Sequence, residues 1–439
     1  MNREAIRPAF SLAGYGAGSF GVNVLGWPLQ TLLMYFLTDS VGFSIALATL
    51  VVTAPKVWDV FMDPFIGAWA DRSAARTGHR GRVLLGTAAL LPATVVTVFM
   101  LPSQAPSWTA VLVIAALIVH SSAFMAYFIS QVALADDFEQ AGTARRDSAL
   151  ALRVVGQATG SLCAGALGPL LIGLSGSGSK DYLTMAVVLS VAGVTGLVAV
   201  ALTARRFKAG SMKAETHAKV SLGQALRAAW HNRAAGALIV SNFGVYVATS
   251  VTATFTPYMN KLLLGSDDTS MSFLFSSFMV AMLSGSALAA WGTRRYARLR
   301  VLAAGAGVMF IAALLIWPTA VPGAVPAASA VNALWGLGLG IYALVIFSAT
   351  LDLSQASAAG AGLLLGLLIS TGKIGDSLGG VLVGAILGWA GYSAGAVVDL
   401  EMANTLRTTY ALSAVLAMTL SVAVLLPQLR SADRPETPQ

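Results

Sequence analysis

Three charged residues, Lys56, Asp59 and Asp63, stand at i, i+3 and i+7 in a mostly apolar stretch. On a helix that spacing puts all three on one face. Two carboxylates one turn apart repel when both are ionised, and taking up a cation or a proton relieves the repulsion. A charged side chain in hydrocarbon costs at least about 2.5 kcal/mol and is a functional candidate by default. The set therefore reads as an ion or proton site, with Lys56 holding one carboxylate charged when the ion is absent. Pairing that merely locks helices together would be a costly use of three charges. Pro64 follows directly and is expected to kink the helix or free a carbonyl.

Other residues out of place in an apolar segment extend the set. Lys373 and Asp376 lie at i, i+3 within Thr371-Gly372-Lys373-Ile374-Gly375-Asp376. Lys373 is expected to face a central cavity and tether either Asp59, Asp63 or a substrate; the alternative is a local Lys373–Asp376 pair. Arg153 begins a span, where it can line a cavity or snorkel to the interface. His120 is a lone histidine on an apolar segment, more commonly a satisfied core residue. Near two carboxylates it could also relay protons. In Gly67-Ala68-Trp69-Ala70-Asp71-Arg72, the pair Asp71 and Arg72 could latch helix ends as a gating loop. The one cysteine, Cys163, reads as a small packing residue.

These residues need elements that cross a membrane. Of 439 residues 56% are hydrophobic and 10% charged, against about 25% charged in soluble domains. About twenty apolar residues cross the hydrocarbon, and twelve segments qualify: about 10–37, 43–70, 83–101, 107–134, 148–174, 183–204, 234–260, 271–292, 301–318, 326–350, 360–388 and 405–427. Long continuous runs mean helices, which satisfy their own backbone in lipid. The first is too long for a cleavable signal peptide.

Of the 27 Lys and Arg, Lys180, Lys261 and Arg407 fall in the loops of one side, Lys56, Arg153 and Lys373 lie within spans, and all others sit on the opposite side. By the positive-inside rule that basic side is the cytoplasm, with both termini in it. The longest polar connection divides the chain into 1–204, a middle loop 205–233, and 234–439, as expected of two six-helix bundles. Arg72 and the Arg294–Arg300 group occupy matching places in the two halves. The glycines of Gly336-Leu337-Gly338-Leu339-Gly340 read as helix packing, because no strand precedes them as a nucleotide loop would require. No metal cluster or nucleophile–base pairing stands out, which disfavours an enzyme. A gradient-driven carrier without a cofactor is expected, with a small-molecule substrate, no nucleic-acid partner and a monomer in a bacterial-type inner membrane.

Several stretches carry a resemblance: Tyr15-Gly16-Ala17-Gly18-Ser19-Phe20-Gly21, Tyr35-Phe36-Leu37-Thr38-Asp39, and Lys56-Val57-Trp58-Asp59-Val60-Phe61-Met62-Asp63-Pro64, with its W-D-x-x-x-D-P core. With Asp136–Arg153 and Thr371-Gly372-Lys373, they make the chain similar to the glycoside–pentoside–hexuronide:cation symporter family (the melibiose permease group) of the major facilitator superfamily. The resemblance implies an all-α membrane fold of twelve helices in two pseudo-symmetric bundles. It implies Asp59 and Asp63 as coupling-cation carboxylates, Lys373 and Arg153 lining the site, and symport of sugars or sugar acids with sodium, lithium or protons. Where the family has its sugar-gripping aspartates, this chain has Asn23 and, near the second, Ala123, with Tyr127 as the neighbouring aromatic. An alanine accepts no hydrogen bond from a sugar hydroxyl, so a less polar solute or an exporter is the alternative. Met62 replaces a polar residue beside Asp63 and offers no hard oxygen to sodium. His120 falls near another cation-site position. Together these favour protons over sodium.

Overall fold

The computed structural model describes residues 3–173, 179–209, 233–355, 361–393, 395 and 398–432. Most of the expected middle loop (210–232) and the tail from 433 lie outside the described residues. Among the described residues are twelve helices of 19 residues or more. They are α1 (Arg3–Thr31), α2 (Ile45–Thr77), α3 (Gly81–Phe99), α4 (Thr109–Gln140), α5 (Arg146–Gly173) and α6 (Ser179–Ala204), then α7 (Arg233–Tyr258), α8 (Ser270–Gly292), α9 (Arg298–Thr319), α10 (Val325–Gln355), α11 (Ala361–Trp389) and α12 (Leu400–Ala432). Ten helices are long and apolar enough to cross a membrane, and α1 with its bent continuation makes up to eleven. Several helices outrun the apolar windows read from the sequence, α12 most of all, since a helix continues wherever its backbone can bond. α2 is helical throughout, across Pro64.

Local chemistry sets the ends. The Ser44 hydroxyl caps α2 by accepting from Leu47 N at 3.3 Å, and Gly78 closes it at φ +74°. There the left-handed backbone favours a residue without Cβ. α1 bends by 48° after Thr31 and continues through Leu33–Tyr35 into a π-helical turn, Phe36–Ser40. α7 runs into a π-helical turn of its own, Met259–Leu263. A left-handed glycine follows each, Gly42 and Gly265.

The chain divides into two compact units, residues 1–213 with 393–395, and residues 214–392 with 396–439. In the first, α1 packs against α5 and α6, α3 against α6 and α4, and α2 against α4. In the second, α7 packs against α11 and α12, α9 against α12 and α10, and α8 against α10. Each pairing of the first unit recurs six helices later. Water supplies no force between helices in lipid, so close backbone approach over small residues has to hold them. The sequence provides it. Gly156 of α5 lies on the Gly16 carbonyl of α1, and Gly196 of α6 on the Ala17 carbonyl. Gly336 and Gly340 of α10 lie on the Phe278 and Met282 carbonyls of α8, and Gly338 faces Gly305 of α9. The glycine run of α10 is helix packing, as its sequence context implied. At Gly340 a Cβ would meet carbonyl oxygen with nowhere to move. Gly340→Val is therefore expected to lower the apparent melting temperature and the folded yield in detergent, while Gly307→Val, with open space around it, should leave both unchanged.

Candidate functional site

Lys56, Asp59 and Asp63 lie along α2, all half-buried. The Ser121 hydroxyl of α4 donates to Asp59 Oδ1 in a short contact. One residue along, Trp58 Nε1 donates to the Ser122 hydroxyl at 3.2 Å. Two adjacent residues of α2 thus engage two adjacent serines of α4, which fixes the register of the pair. Asp59 is held next to a hydroxyl that can donate to a carboxylate or supply oxygen to a cation. Met62 is half-buried beside Asp63. Among the described residues, no group of three or more His, Cys, Asp or Glu could hold a metal ion.

His120 lies on α4 and turns to α3. It is 8% exposed, and its Nδ1 is 2.9 Å from the Thr94 hydroxyl of α3. Successive helical residues point about 100° apart, given 3.6 residues per turn. His120 therefore turns to α3 while Ser121 turns to Asp59. Sequence reading passed over Ser121 and Thr94; the available signal was a run of three polar residues, His120-Ser121-Ser122, in an apolar helix.

The expected substrate residues of the first unit gather around α1, α4 and α5. Asn23 is half-buried on α1 and donates its amide to the Ser19 carbonyl at 2.8 Å, leaving its side-chain oxygen for other use. Tyr127 of α4 is buried, with its hydroxyl over Gly18 of α1, where a Cβ would meet it at 2.6 Å. Arg153 of α5 lays its guanidinium over the Phe128 ring, 4.5 Å from the centroid, a cation–π contact that holds the charge in place. It stands close enough to Tyr15 and Tyr127 for its charge to act on both phenols. Gln131, missed in the sequence, ties the cluster together by donating to Tyr15 O at 3.0 Å and to the Ser19 hydroxyl at 2.7 Å. The Tyr15 hydroxyl is buried with no hydrogen-bond partner among the described residues, an opening for a polar guest.

At the end of the bundle where α2 and α4 finish, the charge pairing differs from the expected Asp71–Arg72 latch. Arg72 is exposed and donates back to the Ala68 carbonyl at 3.0 Å. Asp71 instead pairs with Arg80 at 3.2 Å. Arg80, read from sequence as one of many topology-setting arginines, is 2% exposed. It donates to the buried Asp137 at 3.0 Å. One guanidinium thus ties together α2, α3 and α4. Nearby, Arg146 pairs with Asp136 at 2.9 Å in a partly exposed position.

In the second unit Lys373 and Asp376 are half-buried on α11. Their backbone is pinned to neighbours: the Ser377 hydroxyl donates to the Lys373 carbonyl at 2.9 Å, and the Ser250 hydroxyl of α7 donates to the Asp376 carbonyl at 2.7 Å. Gly372 packs on Tyr246 of α7, so the α7–α11 seam is tight where the lysine projects.

The family described as MFS/sugar transport protein matches residues 14–427. The isoprimeverose transporter of Lactiplantibacillus pentosus is 22% identical over 425 residues, 94% of this chain and 87% of that one. An uncharacterized symporter of Synechocystis is 42% identical over 72 residues; the match spans 16% of this chain and 13% of that relative's length. A bacterial homolog of the human lysosomal transporter Spinster, solved inward-facing and unoccupied, aligns over the whole of both chains with a TM-score of 0.69 at 15% identity. The nucleoside transporter NupG aligns over 99% of this chain and all of that one, with a TM-score of 0.66 at 15% identity.

Proposed function

From the premise that the chain belongs to the MFS/sugar transport protein family, we propose that it is a cation-coupled symporter of a small glycoside or related solute. The protein is a membrane transporter; the coupling ion, solute and direction are our reading. The observation that carries it is the α2 face of Lys56, Asp59 and Asp63, with the Ser121 hydroxyl held on Asp59. Neutralising two carboxylates one turn apart changes the energy of a half-buried site by the repulsion it removes. That energy can bias which way the two bundles open.

In this reading Asp59 and Asp63 bind the ion and Lys56 stands in for it when it is absent. Lys373 and Asp376 are, in this reading, the charged pair that the second bundle contributes to transport. Asn23, Tyr127 and Arg153 hold the solute: the arginine and the Asn23 amide group offer hydrogen bonds to hydroxyls, and the tyrosine offers a ring face. The Arg80 knot with Asp71 and Asp137 takes the gating place that Asp71 and Arg72 were expected to fill. The chain acts as a monomer in the inner membrane with both termini in the cytoplasm, as the distribution of its basic residues supports. Isoprimeverose, named for a relative that shares most of the chain, is the first solute to try.

Protons are the leading ion, since a proton needs only a carboxylate and Met62 offers no oxygen. His120 stays in the proposal as an outer proton acceptor; its bond to Thr94 makes Asp59 and Asp63 the primary carriers. Sodium is the second reading, favoured by the Ser121 oxygen on Asp59, because sodium seeks several hard oxygens. Uptake of isoprimeverose into proteoliposomes tests both. Under proton coupling, an inward pH gradient without sodium drives accumulation, and Ser121→Ala keeps it within a few-fold. Accumulation driven by sodium alone at fixed pH, and lost in Ser121→Ala, would replace the proton by sodium.

A further inference from the structure

A groove of about 680 Å³ opens where α11 ends and α12 begins. It lies wholly within the second unit. α12 packs on α7 and α9 and only lightly on α11, which leaves the gap. Trp389, 79% exposed, lines it from the end of α11. Glu401, Asn404, Thr405 and Thr408 line it from α12, at the i, i+3, i+4 and i+7 spacing of one helix face. A tryptophan between lipid and water needs no guest to explain it; a face of four hydrogen-bonding side chains beside it does. Two of the four are held from behind. Arg407 donates to Asn404 Oδ1 at 2.9 Å, and its guanidinium lies 4.3 Å from the centroid of the Trp317 ring of α9. Trp317 in turn donates its Nε1 hydrogen to the Thr408 hydroxyl at 3.2 Å. Contacts running from Asn404 through Arg407 and Trp317 to Thr408 thus fix both groups, and leave Asn404 its amide hydrogens and Thr408 its hydroxyl hydrogen to donate.

We infer that this groove is a docking site for a neutral sugar or glycoside, which in the proposed topology meets it on the outer face before transport. The inference rests on the reading of the solute as a glycoside, but uses none of the residues assigned to holding or coupling it. The occupant follows from complementarity. A hydrocarbon tail would strip water from an acid, an amide and two hydroxyls and return no hydrogen bond. An anionic headgroup would meet the Glu401 carboxylate. An organic cation would suit the acid and the ring but offer nothing to the donors of Asn404 and Thr408. A sugar satisfies all of them. Its hydroxyls donate to Glu401, its oxygens accept from Asn404 and Thr408, and its face of C–H bonds lies against the Trp389 ring. The volume falls within the range of about 300–1,000 Å³ in which small molecules are held.

The test is saturation-transfer NMR on the purified full-length protein in phosphatidylcholine nanodiscs, with isoprimeverose as the ligand. Transfer to the sugar is expected to persist in Arg153→Gln, which disables the proposed solute site of the first unit. On that background Glu401→Gln should weaken binding about tenfold, because a hydrogen bond to a charged group is lost. Trp389→Ala should weaken it at least about fivefold through the lost ring. Trp108→Ala removes another tryptophan, 65% exposed and directly before α4, and should change nothing. Loss of all transfer in Arg153→Gln would overturn the groove and leave the transport reading standing. An equal loss in Trp108→Ala, no transfer in the unaltered protein, or binding that is seen in detergent and disappears in the bilayer because lipid fills the gap would each overturn it too. Transfer untouched by Arg153→Gln but lost in Glu401→Gln and Trp389→Ala would uphold the groove and count against the solute site at Arg153. Glu401 is exposed, so Glu401→Gln decides the matter if Trp389→Ala fails to fold.

Discussion

Asp59→Asn is expected to abolish uphill accumulation while leaving the protein folded and able to equilibrate its solute. The asparagine keeps the size of the side chain and can still meet the Ser121 hydroxyl, which now holds Asp59 Oδ1, but it carries no charge to neutralise. The expected loss is large. One elementary charge moved through 100 mV is worth about 2.3 kcal/mol, enough to hold a solute about fiftyfold more concentrated inside. Without the carboxylate the ratio should fall to about one. Asp63→Asn should behave alike, since the repulsion belongs to the pair. The measurement is the steady-state ratio in proteoliposomes at fixed potential, with counterflow as the control for a working translocation path. Undiminished accumulation in Asp59→Asn would remove the ion site from α2.

Asp137→Ala should give the largest loss of stability. The Arg80–Asp137 contact has both side chains nearly inaccessible, 3% and 1% exposed. Removing one member of a buried pair leaves the other charged and unmatched, at a cost of about 3–5 kcal/mol. Asp71 remains on the same guanidinium but is 43% exposed, so water screens its contribution. The apparent melting temperature in detergent should drop by on the order of 10 °C. Arg80→Met combined with Asp137→Leu should recover most of it, since an apolar pair of similar volume escapes the desolvation that the ions suffer. An Asp137→Ala protein that melts with the parent would show that the knot is decorative.

What was legible in the sequence is what periodicity and hydropathy encode. Each of the twelve expected spans corresponds to a long helix, and the glycines of α10 could be assigned to packing because the run had no strand before it. The α2 charges could be placed on one face because their spacing fixes it. What could not be read is register between helices distant in sequence. Ser121 reaches Asp59 across 62 positions, and the same register swings His120 to Thr94; a one-residue offset on α4 decides which polar group joins the carboxylates. Arg80 posed the same difficulty in another form. In sequence it is indistinguishable from the exposed arginines around it, such as Arg82, and only burial separates a knot from a solvated charge. Gln131 likewise lay unremarked because an amide in an apolar helix has no meaning until its two acceptors, Tyr15 O and the Ser19 hydroxyl, are known.

The recurrence of the first unit's packing in the second makes α8 the structural twin of α2. Yet α8, Ser270–Gly292, carries no ionisable residue, while α2 carries the whole acidic constellation. The architecture was copied and the electrochemistry was not. In the proposed reading, the carboxylates that take up the driving ion therefore lie in the first unit, and its structural twin in the second is left electrically silent.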